Sequence, residues 1–537
     1  MSKHARRFSV PAQAFLALGL LLGSSTCRLV DPTQVLLKIN AESLARARGS
    51  SLRVNIWSSD GQSVLEGDPV PLTGAPEAAI ELPTTIPVIP SGGDSARTFR
   101  VHAELIDATG QVFNSYRGFG SFVENQIVER QILLTNACND VVCASGQSCT
   151  DGVCADVGQI PSAPSAPPPK QVGPGLAFAT PCAAIAAAAR GDVILIQPGT
   201  YSGEACVVFQ DDLTIRGAAE RPVIDAAGAR VEGKALWLVR GANTTLENLE
   251  LRNATGDDGV GSAVLLEGRT LTVRDVVVRG SQAGLYVNDD PASEVLVERS
   301  ELVDNGTGAQ PAIGHSIRIG RIKRFVLRDS WIHDGIAGHL VRTQAVDSTI
   351  QSNRLTGGAR TDPSTGAPLG SSYELDFPTG GRALVIGNVL QQSNDTLNRT
   401  LLSYGEEGGL DTAAAHFLYV SHNTFVSRRG NGGDAVSVAA NMPGDVRLVN
   451  DVFAGTSTRI NLTTATILGD CIDPGVFQGE ESYDFRLPAG SPCIDRGVPA
   501  GNGQGYSLTP TTQPTLPVGS EPRVQVRAPD PGAFESP

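Results

Sequence analysis

Between residues 244 and 453 the chain repeats one layout eight times. The segments read "TTLENLEL", "LTVRDVVV", "VLVERSEL", "FVLRDSWI", "STIQSNRL", "ALVIGNVL", "YVSHNTF" and "RLVNDVF". Each has a β-rich run, a small polar residue and a second apolar run. The polar positions are Asn248, Asp275, Ser300, Ser330, Asn353, Asn388, Asn423 and Asp451, at intervals of 27, 25, 30, 23, 35, 35 and 28. A period in this range belongs to an architecture whose units cannot bury their apolar faces alone and must stack on one another. A leucine-rich horseshoe would need a fixed leucine consensus, and a propeller would need hairpins with tight Asn-Gly or Asp-Gly turns. The leucine consensus is absent and few such turns are seen, and the expected fold is an all-β parallel β-helix.

Asn and Asp tolerate the left-handed backbone that a tight bend requires. Stacked coils can also hydrogen-bond such residues into ladders. The repeated polar positions are therefore read as structural. Upstream of the repeats, "PCAAIAAAARGDVILIQPGTY" (181–201) predicts a short helix ended by Gly191, then a buried strand and a turn. This sequence resembles the N-terminal cap of right-handed parallel β-helix proteins. "SPCIDRGVPAG" (491–501) is similar to the closing segment of bacterial members. The helix is assigned to 177–500, with 501–537 as a tail that caps it.

The rest of the chain divides by composition. Residues 1–27 carry an export signal, with Lys3, Arg6 and Arg7 before the apolar "FLALGLLLG". The stretch resembles a bacterial lipoprotein signal, which implies lipidation of Cys27 and a place in the cell envelope, at the outer membrane or cell surface. Ser24 departs from the leucine usual in that motif, and simple secretion is the alternative. Residues 28–136 hold alternating strands separated by turns, expected to form a small β-sandwich. Residues 137–156 hold Cys138, Cys143, Cys149 and Cys154, expected to form a disulfide knot in an oxidising compartment. Zinc is the competing reading, and the spacings suit it poorly. Cys182 with Cys206, and Cys471 with Cys493, are expected to bridge. Residues 157–176 form a proline-rich spacer. The net charge of -14 argues against a nucleic-acid partner, and a monomer is expected.

Each coil has a further strand upstream of the polar bend, including "AGLYVND", "HSIRIGR", "HLVRTQA", "SYELDFP" and "LLSYGEEG". Side chains alternate between core and exterior along a strand. Ile317 and Ile319 face inward, so Arg318 faces out; Val341 faces inward, so Arg342 faces out. Tyr373, Leu375 and Phe377 share one face, and Glu374 and Asp376 the other. "GHSIR" (314–318) and "GHLVR" (338–342) are then one position on neighbouring coils. Two arginines held side by side need acidic neighbours or a bound anion. The outward column is thus a candidate groove for an acidic polysaccharide. His315 and His339 suit a stacked structural pair at a corner, or a role at the substrate.

Residues 314–426 resemble a family of bacterial right-handed β-helix proteins through "GHSIRIGR", "GHLVRT", "SYELDFPTGG", "VIGNVLQQ", "LLSYGEEG" and "HNTFV". Members often carry a lysine-serine-arginine run where this chain has "VRTQA", so Arg342 stands for the lysine and Gln344 for the arginine. The fold is more distantly similar to that of pectate lyases, which implies β-elimination on a uronic acid. That reaction needs a cation on the sugar carboxylate, a base for the adjacent proton and an acid for the leaving oxygen. His339, Arg342 and Tyr404 are the catalytic candidates. His315, Arg318, Glu374 and Asp376 are the substrate-binding candidates. Glu406 and Glu407 are candidate ligands for Ca²⁺, which takes oxygen donors. A glycoside hydrolase would instead use two of the carboxylates across the bond. A non-catalytic surface protein that binds polysaccharide or a partner is the reading from a different class.

Overall fold

The computed structural model describes residues 33–536, except short segments at 59–62, 73–79, 81, 91–95, 125, 162–167, 307–313, 359, 362–365, 367, 395, 397, 408, 412–413 and 473–476. The export signal and Cys27 lie outside the described residues. The chain divides into two compact units, 1–165 and 166–537.

The larger unit is a right-handed parallel β-helix, built from parallel sheets of 12, 11 and 10 strands. Successive strands of the chain pass from one sheet to the next, so each complete coil lends a strand to each. Inward positions stack in register. One column of the 12-stranded sheet runs Leu246, Val273, Val297, Leu327, Ile350, Val385, Val420 and Leu448. All eight are buried. Burial of each such side chain contributes about 1.5–3 kcal/mol, and this dry interior is what the apolar runs of the repeat specify.

The corner between the 12- and 11-stranded sheets carries the polar repeat. In the first two coils the polar residues themselves, Asn248 and Asp275, have left-handed backbone at φ 52° and 53°. In later coils the left-handed residue falls one position earlier, at Arg299, Asp329, Ser352, Gly387, His422 and Asn450. The polar residue after it is buried and takes part in a ladder. Asn353 N–H donates to Asn388 Oδ1 (2.9 Å), Asn388 N–H to Asn423 Oδ1 (2.9 Å), and Asn423 N–H to Asp451 Oδ1 (2.7 Å). The amide side chains also donate to carbonyls of the preceding coil, as Asn388 Nδ2 does to Ile350 O at 2.8 Å. The expected bend and the expected ladder are thus carried by neighbouring residues, a one-residue offset that the polar pattern alone does not reveal.

The cap helix is shorter than expected. It spans Pro181–Ala186, with Thr180 accepting from Ala183 N–H at its start. The Asp192 carboxylate accepts from Ala189 N–H at 2.7 Å and draws the chain out of the helix before Gly191, whose φ of 81° makes the turn. The first strand of the 12-stranded sheet, Lys170–Val172, falls in the stretch expected to be spacer. Disulfides join Cys182 to Cys206 and Cys471 to Cys493.

The C-terminal residues do more than close the end. From Val498 they run back along the ladder corner. Asn450 Nδ2 donates to Val498 O (2.7 Å), Ser421 Oγ to Leu508 O (2.7 Å), Ser352 Oγ meets Thr512 Oγ1 (2.8 Å), and Gly519 N–H donates to Asp329 O (3.0 Å). The segment then returns, with Ala533 N–H donating to Thr424 Oγ1 at 3.0 Å. It straps the corner from the outside.

The smaller unit is a β-sandwich. One sheet pairs the strands Thr84–Val88, Gln34–Ala41 and Ile127–Leu134; the other is built on Ser51–Ser58, Thr98–Ile106 and Val112–Ser121. Their alternating residues meet in one core that includes Leu37, Ile39, Ile56, Val101 and Ile132. The cysteine segment pairs Cys138 with Cys149 and Cys143 with Cys154. It packs on the sandwich rather than standing apart: Ser148 Oγ accepts from Arg117 N–H at 2.9 Å.

Candidate functional site

The outer face of the 10-stranded sheet carries a column in register: Leu238, Leu265, Tyr286, Arg318, Arg342, Asp376, Ser403 and Ser437. It changes from apolar to charged along the helix axis. Arg318 and Arg342 are direct neighbours on adjacent strands, Ile317–Ile319 and Val341–Thr343. The Arg318 guanidinium lies 4.4 Å from the Tyr286 ring centroid. No carboxylate comes within 4 Å of Arg318 among the described residues. Arg342 differs: its Nε is 3.4 Å from Asp376 Oδ2 and its terminal nitrogen 3.9 Å from Glu407 Oε2.

The histidines follow from how the coils stack. Gly338 has a φ of 72°, and a Cβ there would lie 2.4 Å from Gly314 O and 2.8 Å from His315 Nδ1. Only glycine permits that approach. It brings the two rings into a stack with centroids 4.6 Å apart. His315 Nδ1 accepts from His339 N–H at 2.9 Å, and His339 Nδ1 accepts from Tyr373 N–H at 3.3 Å. A backbone N–H can only donate, so each Nδ1 offers its lone pair and the neutral ring keeps its proton on Nε2. His339 Nε2 faces Glu407 Oε2 at 3.5 Å and Asp376 Oδ2 at 3.9 Å. His339 is therefore a donor in this arrangement. Of the roles open to a catalytic candidate, this tautomer fits the proton donor and not the base. His315 is wholly buried in the stack and out of a ligand's reach.

Three other expectations change for the same reason, burial. Tyr404 points into the core, fully buried, and its hydroxyl donates to Gly381 O. Desolvation pushes its pKa further up, so it is a structural residue and not a base. Glu374 lies just before the strand Leu375–Phe377, where alternation no longer sets its side, and it is completely covered, with Ser371 Oγ donating to it at 3.3 Å. Burial raises its pKa well above the carboxylate range, and it cannot touch a polymer outside. Asp376 is equally covered, and desolvation, only partly offset by His339 and Arg342, raises its pKa to about 6. Its contacts orient Arg342 and His339 from below. Glu407 is more open; the hydrogen bond from His339 holds its carboxyl below the usual range. The groups a ligand can reach are thus Tyr286, Arg318, Arg342, Glu406, Glu407 and the edge of His339.

Glu406 and Glu407 diverge. Glu406 accepts from Ser437 Oγ at 2.8 Å, while Glu407 turns to His339. Among the described residues, the one group of three ligating side chains that converges is His339, Asp376 and Glu407. It suits a cation poorly. Metal-bound histidines normally donate through the other ring nitrogen, whereas Nδ1 of His339 accepts. Arg342 already supplies positive charge to both carboxylates. Tyr286 and Tyr373, whose ring centroid is 4.9 Å from that of His339, were not singled out from sequence. The same parity that placed Arg318 outward places Tyr286 beside it.

No family model matches the chain, and no curated protein matches it. Among solved structures it is similar to a pectate lyase, Pel9A, at 15% identity over 69% of this chain and 97% of that one, with a TM-score of 0.47. A pectin methylesterase in complex with a hexasaccharide matches at 14% identity over 59% and 91%, with a TM-score of 0.27. A Yersinia enterocolitica family 28 exopolygalacturonase matches at 11% over 83% and 97%, with a TM-score of 0.24. Likenesses this distant carry no argument about function. The fold rests on the sheets themselves: the chain is a parallel β-helix protein.

Proposed function

We propose that the outer face of the 10-stranded sheet binds an acidic polysaccharide, with Arg318 and Arg342 receiving its carboxylates. The observation that carries this reading is the adjacent arginine pair, of which one member has no carboxylate partner among the described residues. Like charges at neighbouring positions of a sheet are destabilising, and packing of the coil does not require them. A linear polyanion laid along the helix axis would meet both. Tyr286, part-exposed beside Arg318, offers a ring face for the less polar side of a sugar.

The finer proposal is β-elimination at the same place. Arg342, with Arg318, would neutralise the uronate carboxylate and so favour removal of the adjacent ring proton. Glu407 is the accessible base, and His339 Nε2–H the donor toward the leaving oxygen. The neutralising cation, which the sequence left open between Ca²⁺ and the pair Arg318 and Arg342, is here the arginine pair, and no step needs a metal. Binding without cleavage is the second reading. It is favoured by Glu407, whose lowered pKa makes it a weak base, and by the burial of Asp376 and Tyr404. Full-length protein incubated with pectate, alginate and glycosaminoglycans, followed by absorbance of unsaturated products, separates the two. Products establish elimination. Glycan binding with no product leaves the binding reading, and neither binding nor product sinks both.

The setting proposed is the bacterial cell envelope, with a lipid anchor at Cys27 and a monomeric chain. Fatty-acid labelling that persists in Cys27→Ala would rule out the anchor, and a dimer mass in solution would rule out the monomer.

A further inference from the structure

We infer that the cleft between the 11-stranded sheet and the C-terminal segment holds a small oxyanion, anchored by Arg354. This residue opens the strand Arg354–Thr356, in register between Trp331 and Val389. Leu355 fills the core, so Arg354 points outward, where the strap described above covers it. Arg354 is 2% exposed. Its guanidinium stands 5.5 Å from the Trp331 ring centroid and donates once, to the Tyr483 carbonyl. Its Nε has no hydrogen-bond partner among the described residues. Among the described residues no carboxylate lies within ion-pair distance of it, and the nearby acids are engaged elsewhere. Asp484 is held by Arg486 at 2.9 and 2.7 Å, and Glu521 accepts from Gln513 at 2.8 Å.

A second buried guanidinium, on the C-terminal segment itself, shows what full satisfaction looks like. Arg523 meets Glu535 at 2.9 Å and donates to the carbonyls of Asp530, Gly532 and Phe534. The C-terminal segment thus completes one buried arginine and leaves the other with one carbonyl. A buried charge without a contacting counter-charge is costly; Asp484, tied to Arg486, attracts Arg354 only from beyond ion-pair distance, and Arg354 borders open space that a further anion can fill. The cleft is about 220 Å³ and is lined by Arg354, Tyr483, Asp484, Arg486, Leu516 and Glu521. At roughly 30 Å³ per water it admits a handful of atoms, less than the ~300–1,000 Å³ of sites for larger ligands. A planar guanidinium suits phosphate, sulfate or carboxylate. Burial lowers the Arg354 pKa only to about 10, so the group remains charged at neutral pH. The cleft lies on a different sheet from the arginine pair, and this inference does not depend on the proposed glycan site.

The test is calorimetric titration of the full-length protein with inorganic phosphate, sulfate and glucuronate separately, at low ionic strength. Saturable one-to-one binding of at least one is expected, weakened at least tenfold in Arg354→Gln. Arg486→Gln, which frees the Asp484 charge beside the anion, should weaken it severalfold. Tightest binding of phosphate or sulfate identifies a free anion, and tightest binding of glucuronate identifies a saccharide carboxylate. Failure of all three to saturate below about 10 mM overturns the inference, as does unchanged affinity in a folded Arg354→Gln. Should that variant not fold, unchanged affinity in Arg486→Gln overturns it instead.

Discussion

Two columns of polar residues run along this β-helix, and they use the same repeat for opposite ends. At the ladder corner, Asn353, Asn388, Asn423 and Asp451 are buried and joined coil to coil. On the outer face of the 10-stranded sheet, Arg318 and Arg342 stand in the same kind of register and repel each other. A column whose hydrogen bonds close on itself explains its own presence. A column left with charge to spare points to something outside the chain.

Substitutions should separate the two columns. The largest effect is expected for Arg318→Ala with Arg342→Ala. Hydrogen bonds to charged groups contribute about 1.5–3 kcal/mol each, so affinity for an acidic glycan should fall on the order of a thousandfold. The denaturation midpoint should hardly move. An unchanged glycan affinity would show that the outer column is as structural as the ladder. Asn388→Ala should do the reverse. It strands the donors and acceptors of two neighbouring coils and should cost about 3 kcal/mol in chemical denaturation, with glycan binding intact. A loss below about 1 kcal/mol would mean that the ladder is not what holds the corner.

The ladder ends in a pair of buried carboxyls, and this makes stability depend on pH. Asp451 accepts from Asn423, and its own N–H donates to Asp470 Oδ1 at 2.9 Å. Burial raises both, Asp470 to about 7. Above the ordinary carboxylate pKa the unfolded chain releases protons that the folded chain keeps. Stability should therefore fall as pH rises from about 4 to about 7, by up to ~1.4 kcal/mol per pH unit for each such group. Asp470→Asn should flatten the profile, and an equally steep profile in that variant would count against the pair.

A smaller pH effect is expected at the outer column, with the same carboxyl chemistry and a different readout. Asp376, raised to about 6 by burial, sits beside Arg342. Protonating it removes a counter-charge from that arginine. Glycan affinity should rise severalfold as pH falls through about 6, and Asp376→Asn should abolish the trend. The smallest effect is none: chelating divalent cations should leave binding unchanged, because Arg342 supplies the charge. Chelator-sensitive binding would return the site to a metal.

Much of this was legible before the fold. Interval and alternation placed Arg318 beside Arg342 and turned both outward, because the side-chain period of a strand is two and one coil is 24 residues at that point. The stack of His315 on His339 followed from the same interval. Alternation says which face a residue occupies, but not what lies over that face. Asp376 is outward and yet covered, and Glu374, just outside the strand, is covered as well. Tyr404 falls on the core side of a stretch whose glycines hid its parity.

The sequence by itself determined the coil, its dry aliphatic interior and the register of the outer column, since these follow from local periodicity repeated many times. Only the tertiary structure decided which outward groups a ligand can reach and which proton His339 keeps. It also decided where the last residues go. They return along the ladder corner as a strap and leave Arg354 buried beneath them. Those outcomes depend on contacts between residues far apart in the chain, often 100 positions or more, as for Ser352 with Thr512. No local pattern encodes them.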